Sequence, residues 1–366
     1  MFVEPVPTGL ETTSQALAAM NLAARACGFV PGRNIPFPPL GCGDWMVFMR
    51  RFRIFVCLTL AICTLPALAG SEVQQLVDQV SQSSYSQYLN DFLYTHTGDD
   101  RGYGAQHDLA RANIQSALTG FGLSTSLSGF SYNGGTYYNV VAVQPGKTHP
   151  EQVYIIGAHY DSVNNPGADD NASGVAGVLE AARVLSTYQF DATIVYIAFD
   201  REEQGLIGSY AYVGAHSGDQ ILGMVAMDMI AYNPATGQDM ANIYGRDASL
   251  PIKTALSNAM QEYGNGLTPV IGGDTPYSDH APFEASGFQA TLLIEYNVWT
   301  NPYYHSASDT VNTPGYIDYS YATNMTRSVV GYLGDAANLV PEPASLLMMS
   351  VGVLAILRRR RVTATR

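Results

Sequence analysis

The chain predicts an α/β protein: a three-layer α/β/α sandwich with a mostly parallel central sheet. Three observations predict it. Between residues 150 and 338, short β-branched and aromatic runs alternate with segments whose apolar residues recur every three or four positions. The short runs are apolar at successive positions, as strands covered on both faces require. The carboxylate and imidazole clusters stand where those runs end, and in open α/β sheets ligands bind beyond the carboxyl ends of strands.

Taken in order, helical spacing marks 73–94 and 106–121, and 137–143 reads as a strand after the Asn133-Gly134-Gly135 turn. An apolar run at 152–156 ends in Gly157. A helix over 172–185 opens after Asp169-Asp170-Asn171. The sequence Thr-Ile-Val-Tyr-Ile-Ala-Phe at 193–199 is a buried strand. A helix follows at 205–213, a strand at 221–227, a helix at 252–263 and a strand at 290–294. A last helix covers 316–337. No internal repeat and no second domain interrupt the pattern.

Of 366 residues, 47% are hydrophobic and 13% charged, too apolar a mixture for a disordered chain. The formal net charge is −13. Between Gly70 and Asn338 the imbalance deepens, with eight basic residues against 27 acidic ones. Such a surface repels phosphate backbones, so no nucleic-acid partner is expected. All four cysteines, Cys27, Cys42, Cys57 and Cys63, precede that stretch. Disulfides, a Cys nucleophile and Cys-ligated zinc are therefore excluded from it.

The two ends read as addresses. Arg50, Arg51 and Arg53 precede an apolar run over 54–65, then Pro66 and Ala67-Leu68-Ala69, the layout of a secretory signal peptide cleaved after Ala69. The expected organisation is a non-structural leader or misassigned start over 1–45, with Met46 or Met49 as the true start. A signal peptide at 46–69, the folded domain at 70–338 and a sorting segment at 340–366 follow. In that last segment Pro341-Glu342-Pro343 precedes an apolar stretch over 344–357 and Arg358-Arg359-Arg360-Arg361. This resembles the PEP-CTERM sorting signal and is expected to form a short transmembrane helix. The resemblance implies export in a Gram-negative bacterium, to the periplasm, cell surface or extracellular matrix. It also implies recognition by an exosortase-type sorting enzyme, with membrane contact only through the terminal segments.

Five polar clusters carry the chemistry: His159-Tyr160-Asp161, Asp169-Asp170-Asn171, Asp200-Arg201-Glu202-Glu203, Asp228, and Tyr304-His305 with Asp309 close behind. Five carboxylates and two imidazoles gathered at one sheet edge repel or desolvate one another unless cations join them. Oxygen and nitrogen donors without sulfur suit Zn²⁺, with Mn²⁺ or Co²⁺ as substitutes. Taken singly, Asp170 or Asp169 could cap a helix, and Glu202-Glu203 could complement a helix dipole.

In this order and spacing, the clusters resemble the dizinc aminopeptidases of metallopeptidase family 28, which also contains glutamate carboxypeptidases and glutaminyl cyclases. The likeness covers roughly 102–332. It implies the zinc-dependent exopeptidase fold, two Zn²⁺ ions per chain and peptide substrates cleaved at their N-termini. It implies that His159, Asp170 and Asp228 hold one zinc, and that Asp170 bridges to the other, held with Glu203 and His305. Glu202 would move the proton of the attacking water to the leaving amine, and Asp161 would orient the His159 imidazole. Tyr304 would donate to the oxyanion, with Tyr277 as the rival for that role. His280, in Ser278-Asp279-His280, reads as structural support. His96, His107, His149 and His216 read as solvated or capping. Three alternatives stay open: a carboxypeptidase, for which only Arg201 adjoins a motif as a carboxylate partner, a one-zinc glutaminyl cyclase, and a non-catalytic surface binding protein on the same fold.

Overall fold

The structure, a computed structural model, describes residues 72–234 and 239–340. The expected leader, the signal peptide and the sorting segment from 341 onward lie outside the described residues. The expectation of a transmembrane helix does not hold: among the described residues no helix is long and apolar enough to cross a membrane. Fourteen mostly apolar residues would in any case reach only about 21 Å as a helix, short of the ~30 Å hydrocarbon layer.

The helical pattern expected over 73–94 breaks into α1 (residues 72–77) and α2 (Gln82–Gln87), the latter running into a wider turn over Tyr88–Phe92. The break falls at Ser81, whose hydroxyl accepts the Ser84 N–H as an N-cap. Helix α3 (Ala105–Gly120) buries His107, Ala110, Ile114 and Leu118, one stripe at helical spacing. Strands β1 (Ser124–Tyr132) and β2 (Gly135–Gln144) then form a hairpin. Its two loop residues, Asn133 and Gly134, both take positive φ, the turn whose twist suits a two-residue hairpin.

The remaining elements are β3 (His149–His159), α4 (Gly174–Leu185), β4 (Ala192–Phe199), α5 (Ile207–Ala215), β5 (Gln220–Asp228), β6 (Met240–Tyr244), α6 (Leu250–Tyr263), β7 (Thr268–Ile271), α7 (His280–Ala285), β8 (Ala290–Glu295) and α8 (Tyr319–Ala336). The eight strands form one mixed sheet in the order β1-β2-β4-β3-β5-β8-β6-β7. Its centre, β4-β3-β5-β8, is parallel throughout; β1, β2 and β6 join antiparallel.

Alternate residues of each central strand feed opposite layers, as the two-residue strand period demands. On one face Ile194, Tyr196, Ala198, Val225 and Met227 pack with Leu179 of α4, Leu256 of α6 and Val329 of α8. On the other, Val195, Ile197, Phe199, Met224 and Ala226 pack with Tyr212 of α5 and Phe283 of α7. Strands β4 and β8 are buried at every position. This double coverage is the three-layer sandwich expected from the continuous apolar runs.

Candidate metal centre

Three neighbouring parallel strands bring the first donors to one edge. His159, the last residue of β3, pairs with Phe199 at the end of β4, and Gly157 pairs with Ala226 of β5. His159 and Asp228 thus close adjacent strands, and Glu202-Glu203 follow just beyond β4. Arg201 and Met229, beside these ligand candidates, and His305 itself adopt positive φ, a backbone turn that bulky residues keep only where their surroundings impose it.

Asp170 arrives from the other side of the edge, in the turn Ala168–Ser173 ahead of α4. That turn is fixed by its neighbours. Asn171 donates to the Met227 carbonyl at 2.9 Å and accepts the N–H groups of Gly174 and Met229 at 3.0 and 3.2 Å. Asn171, not Asp169 or Asp170, therefore receives the first amide of α4. Gly174 has no alternative here, because a Cβ would stand 2.3 Å from both the Met227 carbonyl oxygen and Asn171 Oδ1. Asp309 accepts the N–H groups of Asp169 and Asp170 at 2.7 and 3.2 Å, and its own carbonyl accepts from Ala168. This laces the loop carrying His305 to the loop carrying Asp170.

The predicted ligands converge in two groups that share Asp170. His159 Nε2 lies 3.3 Å from Asp170 Oδ1 and 3.5 Å from Asp228 Oδ1. His305 Nε2 lies 3.1 Å from Asp170 Oδ2 and 3.2 Å from Glu203 Oε2. Glu202 Oε2 stands 4.0 Å from His159 Nε2. Donor separations of this size match the edge of a tetrahedron with bonds of about 2.0–2.1 Å, roughly 3.3 Å. Two buried oxygens, Glu203 Oε1 and Asp228 Oδ1, have no hydrogen-bond partner, and such atoms are costly unless something else satisfies them. Both observations fit divalent metal held among these donors.

The electrostatics describe the same need. Burial, then the Asp170 carboxylate, push Glu203 up to about 7. Burial also raises Glu202 well above the usual carboxylate range. Burial alone would raise Asp170 too, yet its hydrogen bonds with His159 and His305 hold it below that range. Hydrogen bonds with Asp170 and then Glu203 raise His305 to about 10. In the metal-free protein, protons on the imidazoles supply the positive charge that the carboxylates require.

Asp161 has two jobs. Its backbone carbonyl faces His159 Nδ1 at 3.2 Å, closer than its carboxylate at 3.7 Å. The carboxylate instead accepts the N–H groups of Glu202 and Glu203 at 3.1 and 3.3 Å, and so holds the backbone of both glutamates. Ser278 donates to Asp228 Oδ2 at 2.7 Å, a support that sequence reading passed over. Tyr304 stacks on the His305 ring with centroids 3.8 Å apart, half-exposed at the cleft. Burial and the surrounding carboxylates raise its phenol, which stays protonated and able to donate. Tyr277 also lines the cleft but is 71% exposed. His280 is fully buried, its imidazole lowered to about 4 by burial.

One histidine differs from its sequence reading. His107, expected to be solvated or capping, is buried in α3 and bonds Asp200 Oδ1 at 2.9 Å. A single His on an amphipathic stripe carries no signal of a partner 93 residues away.

A cleft of about 650 Å³ opens over the donors. Its far wall is apolar, with Leu206, Met229, Leu292, Ile294 and Val298, and Tyr210, Tyr244 and Trp299 also line it. No Lys or Arg lines it.

Comparison with known proteins places the chain. The PEP-CTERM protein-sorting motif matches residues 339–361. Among curated relatives, a probable leucine aminopeptidase of Trichophyton verrucosum is 31% identical over 223 residues, covering 55% of this chain and 58% of the relative. Aminopeptidase YwaD of Bacillus subtilis is 32% identical over 186 residues, covering 48% of this chain and 40% of the relative. The chain thus spans 58% of the first relative's length and 40% of the second's. Among solved structures, the Legionella pneumophila LapA aminopeptidase shares the fold with TM-score 0.62 at 21% identity, over 74% of this chain and 73% of that one. A Bacteroides thetaiotaomicron glutaminyl cyclase does so with TM-score 0.58 at 18% identity, over 70% and 98%. The model of peptidase family M28 matches residues 139–333, more than half of the sequence and the whole of the donor set, and the chain belongs to that family.

Proposed function

We propose that the chain is an exported dizinc aminopeptidase that releases N-terminal residues from peptides. The observation that carries the reading is Asp170, whose two oxygens each face a different imidazole, 3.3 and 3.1 Å away. When bound, two zinc ions would supply Lewis acidity and lower the pKa of water; His159, Asp170 and Asp228 would hold one, and Asp170, Glu203 and His305 the other. Glu202, lining the cleft beside this set, takes the proton of the attacking water and returns it to the leaving amine. Tyr304 donates its phenolic proton to the oxyanion of the tetrahedral adduct. Asp161 keeps Glu202 in place through the two backbone amides. The apolar wall receives the side chain of the departing residue, and the carboxylates lining the cleft favour its free, cationic amine.

Substrate polarity follows from the cationic inventory. A carboxypeptidase needs a cation for the substrate's terminal carboxylate. Arg201 does not face the cleft: it is fully buried and bonds Asp200 at 2.9 Å. The complete donor set with Glu202 also disfavours a non-catalytic binding protein. The fold is shared by the LapA aminopeptidase and a glutaminyl cyclase and does not separate these activities; metal stoichiometry does. The match to the sorting motif at 339–361 supports export and processing by an exosortase-type enzyme.

The deciding experiment combines metal analysis with a panel of aminoacyl-nitroanilides and N-terminally blocked peptides. Two zinc ions per chain, with turnover that requires a free amine, are expected. Full turnover in verified metal-free protein, or cleavage of blocked peptides only, would overturn the reading.

A further inference from the structure

We infer that Arg101-Gly102-Tyr103, a segment ahead of the region matched by the family model, is a positioning latch that holds both donor-bearing loops from behind. The inference rests on the proposed activity and extends it to residues outside the donor set.

One arm grips the loop between His159 and Asp170. The Arg101 guanidinium is fully buried and donates to the carbonyls of Tyr160 at 2.9 Å, Gly167 at 2.8 Å and Pro166. Its backbone N–H donates to Ser162 Oγ at 2.9 Å. Gly102 allows this approach, since a Cβ would stand 2.7 Å from the Ser162 carbonyl oxygen.

The other arm grips the Glu202-Glu203 loop through Arg201. The Gly102 carbonyl accepts from Arg201 Nη2. The Tyr103 ring lies 4.3 Å from Arg201 Cζ, and the Tyr137 ring lies 4.6 Å away, so the guanidinium has an aromatic partner on the segment and another on β2. Its Nε donates to Asp200 Oδ1, which also takes His107 Nε2 at 2.9 Å, while Tyr160 donates to Asp200 Oδ2 at 2.8 Å. Arg201 is thus fixed from several sides, one residue before Glu202. A planar cation held between aromatic faces resists rotation in a way that an exposed ion pair does not. Both arms leave from three consecutive residues, so the spacing between the two loops is set by a short stretch of backbone.

The test uses Tyr103→Ala, Tyr103→Phe and Arg201→Lys in the full chain. Tyr103 is 56% exposed, so its truncation spares the core. The first readout is hydrogen exchange of the Glu202 and Glu203 amides, which donate to Asp161. Tyr103→Ala and Arg201→Lys are expected to speed that exchange about tenfold, leaving amides of β4 and β5 unchanged. Tyr103→Phe keeps the ring face and the parental rate. The second readout is kinetic. With zinc content equal to the parent, Tyr103→Ala lowers kcat about tenfold while KM stays within about twofold. Unchanged exchange at Glu202 and Glu203 overturns the latch, as does faster exchange with parental kcat, or equal effects of Phe and Ala. A parent protein with no turnover would sink the proposed activity instead, and the exchange data alone would then decide the latch.

Discussion

Replacing Asp170 by Asn removes one of the two oxygens proposed as ligands while keeping the shape of the side chain. In the parent, Oδ1 faces His159 Nε2 and Oδ2 faces His305 Nε2. An amide offers one carbonyl oxygen, and its NH₂ cannot ligate a cation. Whichever way the amide turns, one site keeps only two protein donors, His159 with Asp228 or Glu203 with His305. Zinc content is therefore expected to fall from two ions to one at most. At free zinc about 100-fold above Kd, each bound ion stabilises the folded state by about 2.7 kcal/mol. With about 2–4 °C per kcal/mol for a domain approaching this size, the variant should melt about 5–10 °C below the zinc-loaded parent. Loss of one ion should also cost about 10³ in kcat/KM, or about 4 kcal/mol of transition-state stabilisation. Elemental analysis after dialysis, calorimetry and peptide turnover measure the three quantities. Two zinc ions bound at parental affinity, or turnover within tenfold of the parent, would refute the bridge.

Glu202→Gln should keep both zinc ions and a KM within a few-fold of the parent while kcat drops by about 10²–10⁴; parental kcat in steady-state assays would remove Glu202 from proton transfer. Gly174→Ala forces a Cβ to within 2.3 Å of two fixed oxygens, and overpacking of this kind costs about 1–3 kcal/mol. Calorimetry should show the loss in chelated protein as well as loaded protein, and an unchanged melting temperature would mean that the Asn171 frame yields freely. His305 is raised in the metal-free protein to about 10 from 6.5, so its contribution to stability is complete below pH 6.5 and is lost as pH rises through 10. Chelated protein should accordingly melt at lower temperature at pH 10 than at pH 7, and zinc binding at pH 8 should release a proton measurable by calorimetry in buffers of different ionisation heat.

The sequence carried the central layer well, because β3, β4, β5 and β8 are apolar on both faces and leave little else for such runs to be. It carried the periphery poorly. Strand β1 is Ser-rich and mostly exposed along Ser124–Tyr132, so its composition resembles a loop and only pairing with β2 makes it a strand. Strands β6 and β7 have five and four residues, and α7 has six with a proline inside it, all too short for a period to emerge. At the site, the ligand candidates His159, Asp228 and Glu203 were legible because two close central strands and the third follows one, while Asp170 and His305 stood out in polar loop clusters. Their supports were not. Asn171, Ser278, Asp309 and Arg101 act through contacts 50 to 140 residues away in the chain, which no local pattern encodes. Asp161 was visible as a partner of His159, but its grip on the two glutamate amides depends on β3 and β4 lying side by side.

The lacing by Asp309 bears on how the centre is assembled. Its carboxylate ties down the amides on either side of the Asp169–Asp170 junction, and its carbonyl takes a third, with no cation taking part. The loop that brings His305 is therefore tied to the loop of Asp170 by the protein's own hydrogen bonds. A tether of this kind would lower the ordering entropy that metal uptake costs, and it predicts that stripping metal leaves the two loops joined.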